Sequence, residues 1–397
     1  MRGNILEEMK PYEAELVAIR RDIHRHPETG FEEARTAKLV ADTLRGWGVE
    51  VAEGIAKTGV VATIEGNRPG QRAIGLRADL DALHIQEVEG RAYGSEIAGK
   101  MHACGHDGHT AMLLGAARYL SERRDFAGKV HLIFQPAEEG LGGGRLMVEE
   151  GLFDRFPVDA VYGMHNFPGL PAGVFATRKG PFLAASDIWG VVFHGTGGHG
   201  GASPHLSTDT SLAMAQFILA IQTIVSRNVS AADTAVVSVG HVHGGSADSP
   251  NIIPPDMSVR GTSRSYRPEV RDILENRLRA LAESSAAAFG CTVEVEYHRN
   301  YPPLINRAEQ TDVTIAAARA LVGEKAVITD APPITGAEDF AFLLEARPGS
   351  FIGIGNGVGP DGGAGLHTSQ YDFNDAILTT GAAYWVSLVN EELGSEA

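Results

Sequence analysis

Apolar positions recur at helical intervals near the start of the chain: Leu16, Ile19 and Ile23 share one face of the stretch Tyr12 to His26, and Pro27 stops it. A second helix is predicted from about Glu32 to Trp47. The period then shortens. Val60 to Ile64 and Ala73 to Ala78 are short apolar runs bounded by turn residues, and they read as strands. Beyond them the pattern predicts a helix over Ala111 to Leu120, a strand over Lys129 to Phe134, a helix over Gly144 to Glu150 and a strand over Asp159 to Met164. Helices alternating with buried strands predict an α/β fold, with a mostly parallel sheet flanked by helices on both faces.

Between about Phe182 and Asn300 the rhythm changes. Strand (Ile188 to Phe193), helix (Thr208 to Arg227), two strands (Ala235 to Val242, Met257 to Ser263), helix (Glu269 to Phe289) and strand (Thr292 to Tyr297) follow one another. The order β-α-β-β-α-β is that of a ferredoxin-like α+β unit, complete in itself. The chain then returns to a helix, a strand over Phe351 to Ile354 and a last helix from about Asn374 to Glu392. The expected organisation is a discontinuous larger domain, residues 1–181 and 301–397, with a smaller domain, residues 182–300, inserted into it.

A length of 397 residues suits two domains. Acidic residues outnumber basic ones 50 to 34, a net charge of −16, and a surface of that sign repels phosphate backbones and anionic headgroups. No nucleic-acid partner and no membrane partner are expected. The apolar stretch Ser211 to Val225 contains Gln216, Gln222 and Thr223, so it is too short and too polar to span a bilayer. Met1 to Lys10 carries two glutamates and no apolar run of signal-peptide length. With Cys104 and Cys291 as the only cysteines, a reducing, cytoplasmic location is expected. The 48 glycines, roughly 12% of the chain against a usual ~7%, point to tight turns or close backbone approach.

The strongest chemical signal runs from Met101 to His109, where His102, Cys104, His106, Asp107 and His109 crowd together just before a predicted helix. A helix N-terminus favours a thiolate at Cys104, and Cys104 with His106 makes a close ligand pair for a divalent metal. Gln135 to Glu139 follows a buried strand, Asp79 and Asp81 follow another, and His165 a third. In open α/β sheets, sites lie beyond the carboxyl ends of strands. Of the neighbouring Glu138 and Glu139, one can bind metal while the other stays available as a base. His367 continues a glycine-rich stretch, Gly355 to Gly365, where backbone can approach a site closely. Cys104, His106, Glu139, His165 and His367 supply five ligands, enough for two metals if one group or a water bridges.

The stretches Leu76 to Leu83, His102 to Gly115, Ile133 to Gly140, Gly197 to Gly200, Asn251 to Pro254 and Gly336 to Phe340 resemble the M20 peptidase family. More narrowly, they are similar to the branch of hippurate hydrolases, N-acyl-L-amino-acid amidohydrolases and plant auxin-conjugate hydrolases. The resemblance implies a di-metal, aminopeptidase-like catalytic domain and an inserted lid or dimerisation domain. It implies two divalent ions per subunit, with Cys104, His106, Glu139, His165 and His367 as ligands and Glu138 as general acid/base. It places Asp79 behind a ligand as an orienting group. His199 matches a histidine that in related enzymes reaches the partner subunit's site, and Asn251 one that helps hold the substrate carboxylate. Gly336 belongs to a substrate-binding motif, and Arg264 is either a carboxylate clamp or a surface residue. His84, where the family has proline, and Gly143-Gly144-Arg145 depart from the pattern and bear on substrate preference.

The expected activity is hydrolysis of the amide of a small-molecule N-acyl amino acid, such as a hippurate-like or N-acetyl compound, by metal-activated water. A dipeptidase or aminopeptidase of the same family is the alternative. Zinc, manganese, cobalt and nickel all suit the donor set. A homodimer or homotetramer through the smaller domain is expected. Two other readings stay open: a cysteine hydrolase with Cys104 as nucleophile and His109 as base, and a non-catalytic small-molecule binding protein on the same scaffold.

Overall fold

The computed structural model describes residues 4–360 and 362–394; Met1, Arg2 and Gly3 of the N-terminal segment lie outside them. The chain divides into two compact units, one of residues 1–180, 305–332 and 339–397, the other of residues 181–304 and 333–338. Residues 181, 301–304 and 333–338, expected in the larger domain, therefore fall in the smaller unit, and Gly336 with them.

The larger unit is built on an eight-stranded sheet. Its strands, in spatial order, are Glu50–Ile55, Gly59–Glu65, Ala127–Gln135, Arg68–Asp79, Ala160–Pro168, Gly349–Gly357, Phe175–Ala176 and Val327–Ile328. The four central strands, from Ala127–Gln135 to Gly349–Gly357, are mutually parallel. Antiparallel pairing is confined to the margins. The strand Glu50–Ile55 was not predicted, because most of its positions are exposed or half-buried and carry no apolar alternation.

Side chains alternate across each central strand, which gives the sheet two covered faces. Ile74, Leu76 and Ala78, with Val130, Leu132, Phe134 and Tyr162, enter the main core with Met112, Leu113 and Trp385. Helices His106–Arg123 and Leu378–Leu393 cover that face, joined by Glu13–Arg25 and Ala308–Val322. Gly75, Arg77, Ile133 and Gly163 point the other way, where helices Gly143–Glu149 and Phe340–Ala346 pack.

Helix Glu13–Arg25 buries Leu16, Arg20, Ile23 and His24 and ends at His26, before Pro27. Helix Ala34–Gly46 buries Ala37, Val40, Ala41 and Leu44. The helix predicted from Ala111 starts five residues earlier, at His106. Its first turn is polar but wholly buried, so no apolar stripe announces it.

In the smaller unit a four-stranded antiparallel sheet runs in the order Ala235–Gly244, Asp256–Ser265, Ala185–His194, Thr292–Tyr301. Trp189, Val191 and Phe193 alternate inward onto helices Thr210–Thr223 and Pro268–Ala288, with Phe217, Leu274 and Leu278. Among the described residues no helix is long and apolar enough to cross a membrane.

Candidate metal centre

Three parallel neighbours, Ala127–Gln135, Arg68–Asp79 and Ala160–Pro168, end at one edge of the sheet, in register through Asp79–Gln135 and Arg77–Gly163. Asp79 is the last residue of its strand, and His165 lies within its strand rather than after it. Helix His106–Arg123 brings its first turn to the same edge, where Thr110 Oγ1 donates to Asp79 O at 2.9 Å. Its N-cap, Gly105, is left-handed (φ 96°), and a Cβ there would stand 2.3 Å from Asn166 Oδ1 and 2.5 Å from the Tyr371 hydroxyl. Only glycine allows this turn so close to the site.

The five expected ligands converge. Cys104 Sγ lies 3.3 Å from His165 Nε2 and 3.4 Å from His367 Nε2, and His367 Nε2 lies 3.1 Å from Glu139 Oε1. Donor atoms of Cys104, His106 and His165 fall within 4.8 Å of one another, as do those of Cys104, Glu139 and His367, and those of His106, Glu138 and Glu139. Ligands at bond lengths of 2.0–2.3 Å around a tetrahedral ion stand about 3.3–3.8 Å apart, a window that holds both Cys104–histidine distances, while the His367–Glu139 pair is closer at 3.1 Å. His165 donates from Nδ1 to Asn166 O at 2.7 Å, which leaves the Nε2 lone pair facing Cys104. His106 donates from Nδ1 to Asp81 Oδ1 at 3.2 Å, and its Nε2 is buried with no hydrogen-bond partner. A buried nitrogen without a partner costs free energy unless something binds it.

The charges point the same way. Burial opposes a charge on His106, but Asp79, Asp81 and Glu139 outweigh it and push the imidazole up to about 10. Burial and the neighbouring His109 hold His165 well below its ordinary value, which favours the neutral imidazole that a metal site needs. Burial, then Glu139 and Glu138, push the Cys104 thiol well up. The expected stabilisation of a thiolate by the helix terminus is thus outweighed by burial and the two glutamates. The donor set and its surplus of carboxylates support divalent metal ions.

The turn that carries both glutamates is clamped from three directions. Ala137, left-handed at φ 53°, donates its N–H to the buried Glu33 at 2.8 Å. Glu139 donates its N–H to Asp81 Oδ2 at 2.9 Å. Glu138, itself buried, accepts the Asp339 N–H on Oε1 at 3.3 Å. His367 is also left-handed (φ 59°), and its N–H donates to Ala103 O at 2.8 Å, which ties its loop to the Cys104 segment. Strain of this kind persists where the surroundings over-determine it.

The orienting acids divide their work. Asp79 Oδ1 accepts from His109 Nδ1 at 2.6 Å and its Oδ2 stands 3.8 Å from His106 Nε2, whereas the direct hydrogen bond to a ligand is made by Asp81. Burial works against the Asp79 carboxylate, but His106, His109 and Arg77 hold it well below its usual range. His109 is sandwiched between Asp79 and Asn166, whose Oδ1 lies 2.7 Å from its Nε2. Glu33, Asp81, Arg77 and Asp339 were not assigned roles from sequence, and His109 only as the base of the cysteine-hydrolase alternative. Of these, Arg77, Asp81, His109 and Asp339 carried a local signal by their place in the motifs, and Glu33 carried none.

In the smaller unit, His199 lies on a two-residue strand paired with Ile252–Ile253. Its Nδ1 accepts the N–H groups of Gly201 and Ala202 at 3.3 and 3.2 Å, so neutral His199 carries its proton on Nε2. Asn251 is exposed and its carbonyl accepts from Gly200 N at 2.8 Å. Half-buried Arg264 donates to Thr262 Oγ1 and to Ser263 O. Gly336 O accepts from Ala184 N at 2.9 Å.

Fold and donors together define an α/β metalloprotein in which a buried carboxylate, Glu138, stands beside the ligands. The chain belongs to the peptidase family M20/M25/M40, whose model matches residues 75–391. It is 40% identical over 386 residues to a hippurate hydrolase of Campylobacter jejuni, covering 97% of this chain and 98% of the relative. It is also 40% identical over 367 residues to an N-acetyl-L-cysteine deacetylase of Bacillus subtilis, covering 92% and 85%. A crystal structure of a Bacillus subtilis dinuclear metal-binding peptidase of the M20 family matches with a TM-score of 0.82 and 33% identity, over 96% of this chain and 98% of that one.

Proposed function

We propose that this protein is a metal-dependent amidohydrolase that cleaves N-acyl amino acids, hippurate-like or N-acetylated, to a carboxylic acid and a free amino acid. The observation that carries the reading is the placement of buried Glu138 within one cluster with His106 and Glu139, beside the Cys104, His165 and His367 donors. The similarity to a hippurate hydrolase and to an N-acetyl-L-cysteine deacetylase supports that substrate class.

Two divalent ions per subunit fit the two donor groups that share Cys104, with zinc, manganese, cobalt or nickel as candidates. When bound, such ions supply Lewis acidity, which makes water acidic enough to attack an amide near neutral pH and offsets charge on the acyl oxygen. Glu138 then acts as general base and acid. Its carboxylate, steadied on Oε1 by the Asp339 N–H, takes a proton from the attacking water as the C–O bond forms. It returns that proton to the amine nitrogen as the C–N bond breaks. His199, with its proton on Nε2, is the proposed oxyanion donor, and Asn251, Arg264 and Gly336 are the proposed substrate-binding residues.

A homo-oligomer formed through the smaller unit belongs to the same proposal. It is supported by Leu212 and Leu219, exposed on helix Thr210–Thr223, and by Val242, exposed on the sheet-edge strand Ala235–Gly244. A cytoplasmic location is proposed from the two unpaired cysteines. The similarity to a family peptidase keeps dipeptides in view as substrates. The test is hydrolysis of a panel of N-benzoyl and N-acetyl amino acids and dipeptides by protein reconstituted with each of the four metals. Turnover of the acylated amino acids that is abolished by a chelator is expected. Activity indifferent to chelator, or confined to dipeptides, would overturn the reading.

A further inference from the structure

Beneath Glu138 lies a buried polar hub that no metal ligand enters. Asp339 is fully buried, and each of its carboxylate oxygens is engaged. Oδ1 accepts from Gln135 Nε2 at 2.6 Å and from Arg77 Nη2 at 3.1 Å, and Oδ2 accepts from Gly144 N at 2.7 Å. Arg77, also fully buried, spreads its fork: besides Asp339 it donates from Nε to Gln135 Oε1 at 2.9 Å and from Nη1 to Asp79 Oδ2 at 2.7 Å. The fork lies near the Phe340 ring, its central carbon 5.7 Å from the ring centre. Gly144 closes the hub, since a Cβ there would stand 3.0 Å from Asp339 O and 3.1 Å from Asp339 Oδ1.

Such an arrangement is expensive to bury unless every group is paired and the geometry is held. What it holds in place is the Asp339 main chain, whose N–H meets Glu138 Oε1. We propose that Asp339 is a positioning residue for Glu138: its carboxylate, gripped by Arg77, Gln135 and Gly144, aims the backbone N–H that sets the carboxylate of the base. Arg77 gives the hub a second consequence. It joins Asp339 to Asp79, whose other oxygen holds His109, so the base and the histidine-rich side of the site hang from one guanidinium. An arginine at this point does what a lysine could not, because three acceptors in three directions need a rigid fork.

The inference rests on Glu138 being the base, and the experiment separates the two. Asp339→Asn keeps the shape but turns one gripped oxygen into a donor facing donors. Expected in the metal-loaded enzyme is a fall in kcat of about 10- to 100-fold, the scale of a reacting group displaced by about 1 Å. KM should stay within about twofold, and elemental analysis should find the metal content of the wild type. Gly144→Ala displaces Asp339 without touching any charge and should give the same signature, which covers the case in which Asp339→Asn does not fold. In an Glu138→Gln background, followed over long incubations, Asp339→Asn should cost no further rate, because the group it positions is already gone. Wild-type kcat in both Asp339→Asn and Gly144→Ala, a loss of metal in Asp339→Asn, or a full additional loss in the double variant would each overturn the proposal. If Glu138→Gln itself turns over normally, the reading of Glu138 as base has failed instead.

Discussion

Cys104 Sγ lies 3.4 Å from His367 Nε2, although 263 residues separate them along the chain. The contact joins the helix-capping segment to a left-handed loop residue, and with Glu139 it makes one of the donor groups. Replacing Cys104 by Ser or His367 by Ala should lower the metal content per subunit and reduce turnover by at least about 100-fold, because a ligand is lost outright. Elemental analysis after dialysis decides: full occupancy in either variant would remove that residue from the ligand set.

Asp81 reaches two of the proposed ligands from different elements, His106 through its ring and Glu139 through its N–H. Asp81→Asn keeps the size but weakens both contacts, so metal affinity should fall by about 10- to 100-fold. Competition with a coloured chelator measures this directly. An affinity equal to the wild type would show that Asp81 is merely a neighbour.

Glu138→Gln removes the proton carrier and leaves the ligands in place. The expected loss in kcat is about 10²- to 10⁴-fold with unchanged metal content. Near-normal turnover in this variant would reject the mechanism at its central step.

His24 is fully buried between Asp107 Oδ2 at 2.8 Å and Glu87 Oε1 at 3.1 Å. Burial opposes its charge, but those two hydrogen bonds win and raise it from 6.5 to about 9. A folded value above the unfolded one means that protonation favours the folded state. The contribution is complete below pH 6.5 and is lost as the pH rises through about 9. At about 1.4 kcal/mol per unit it is on the order of 3 kcal/mol. The difference in unfolding free energy between the wild type and His24→Gln should therefore shrink between pH 6.5 and 9. A difference that does not change with pH would mean that His24 is neutral in the folded protein.

Gly105→Ala puts a methyl carbon 2.3 Å from Asn166 Oδ1 at a residue with φ 96°. Clash and left-handed strain add, so a loss of at least about 2 kcal/mol is expected. Thermal unfolding of the metal-free protein isolates this from any effect on the ligands; an unchanged midpoint would mean that the helix N-terminus relaxes freely.

Much of this architecture is legible in the residue pattern. The parallel strands announce themselves because runs such as Leu132 to Phe134 are buried on both faces and apolar throughout. The candidate site residues announce themselves because Cys104 and His106 share one turn, and because Glu138 and Glu139 follow the end of such a strand. The helix start at His106 was hidden by the same chemistry, since a turn whose polar side chains face a site has no apolar stripe.

Residue types and local periodicity thus determined, by themselves, the class of fold, and they singled out the candidate donors that the structure brings together. Only the tertiary structure decided which acid serves which group: Glu33 at Ala137 across 104 residues, Asp81 at Glu139 across 58, Arg77 at Asp339 across 262, and Asp339 at Glu138 across 201. The reason is physical. A buried carboxylate accepts whichever N–H groups the sheet register and the chain crossings bring within about 3 Å. Asp81 and Asp339 stand within the motifs Leu76 to Leu83 and Gly336 to Phe340, but nothing in those motifs tells which distant group each meets.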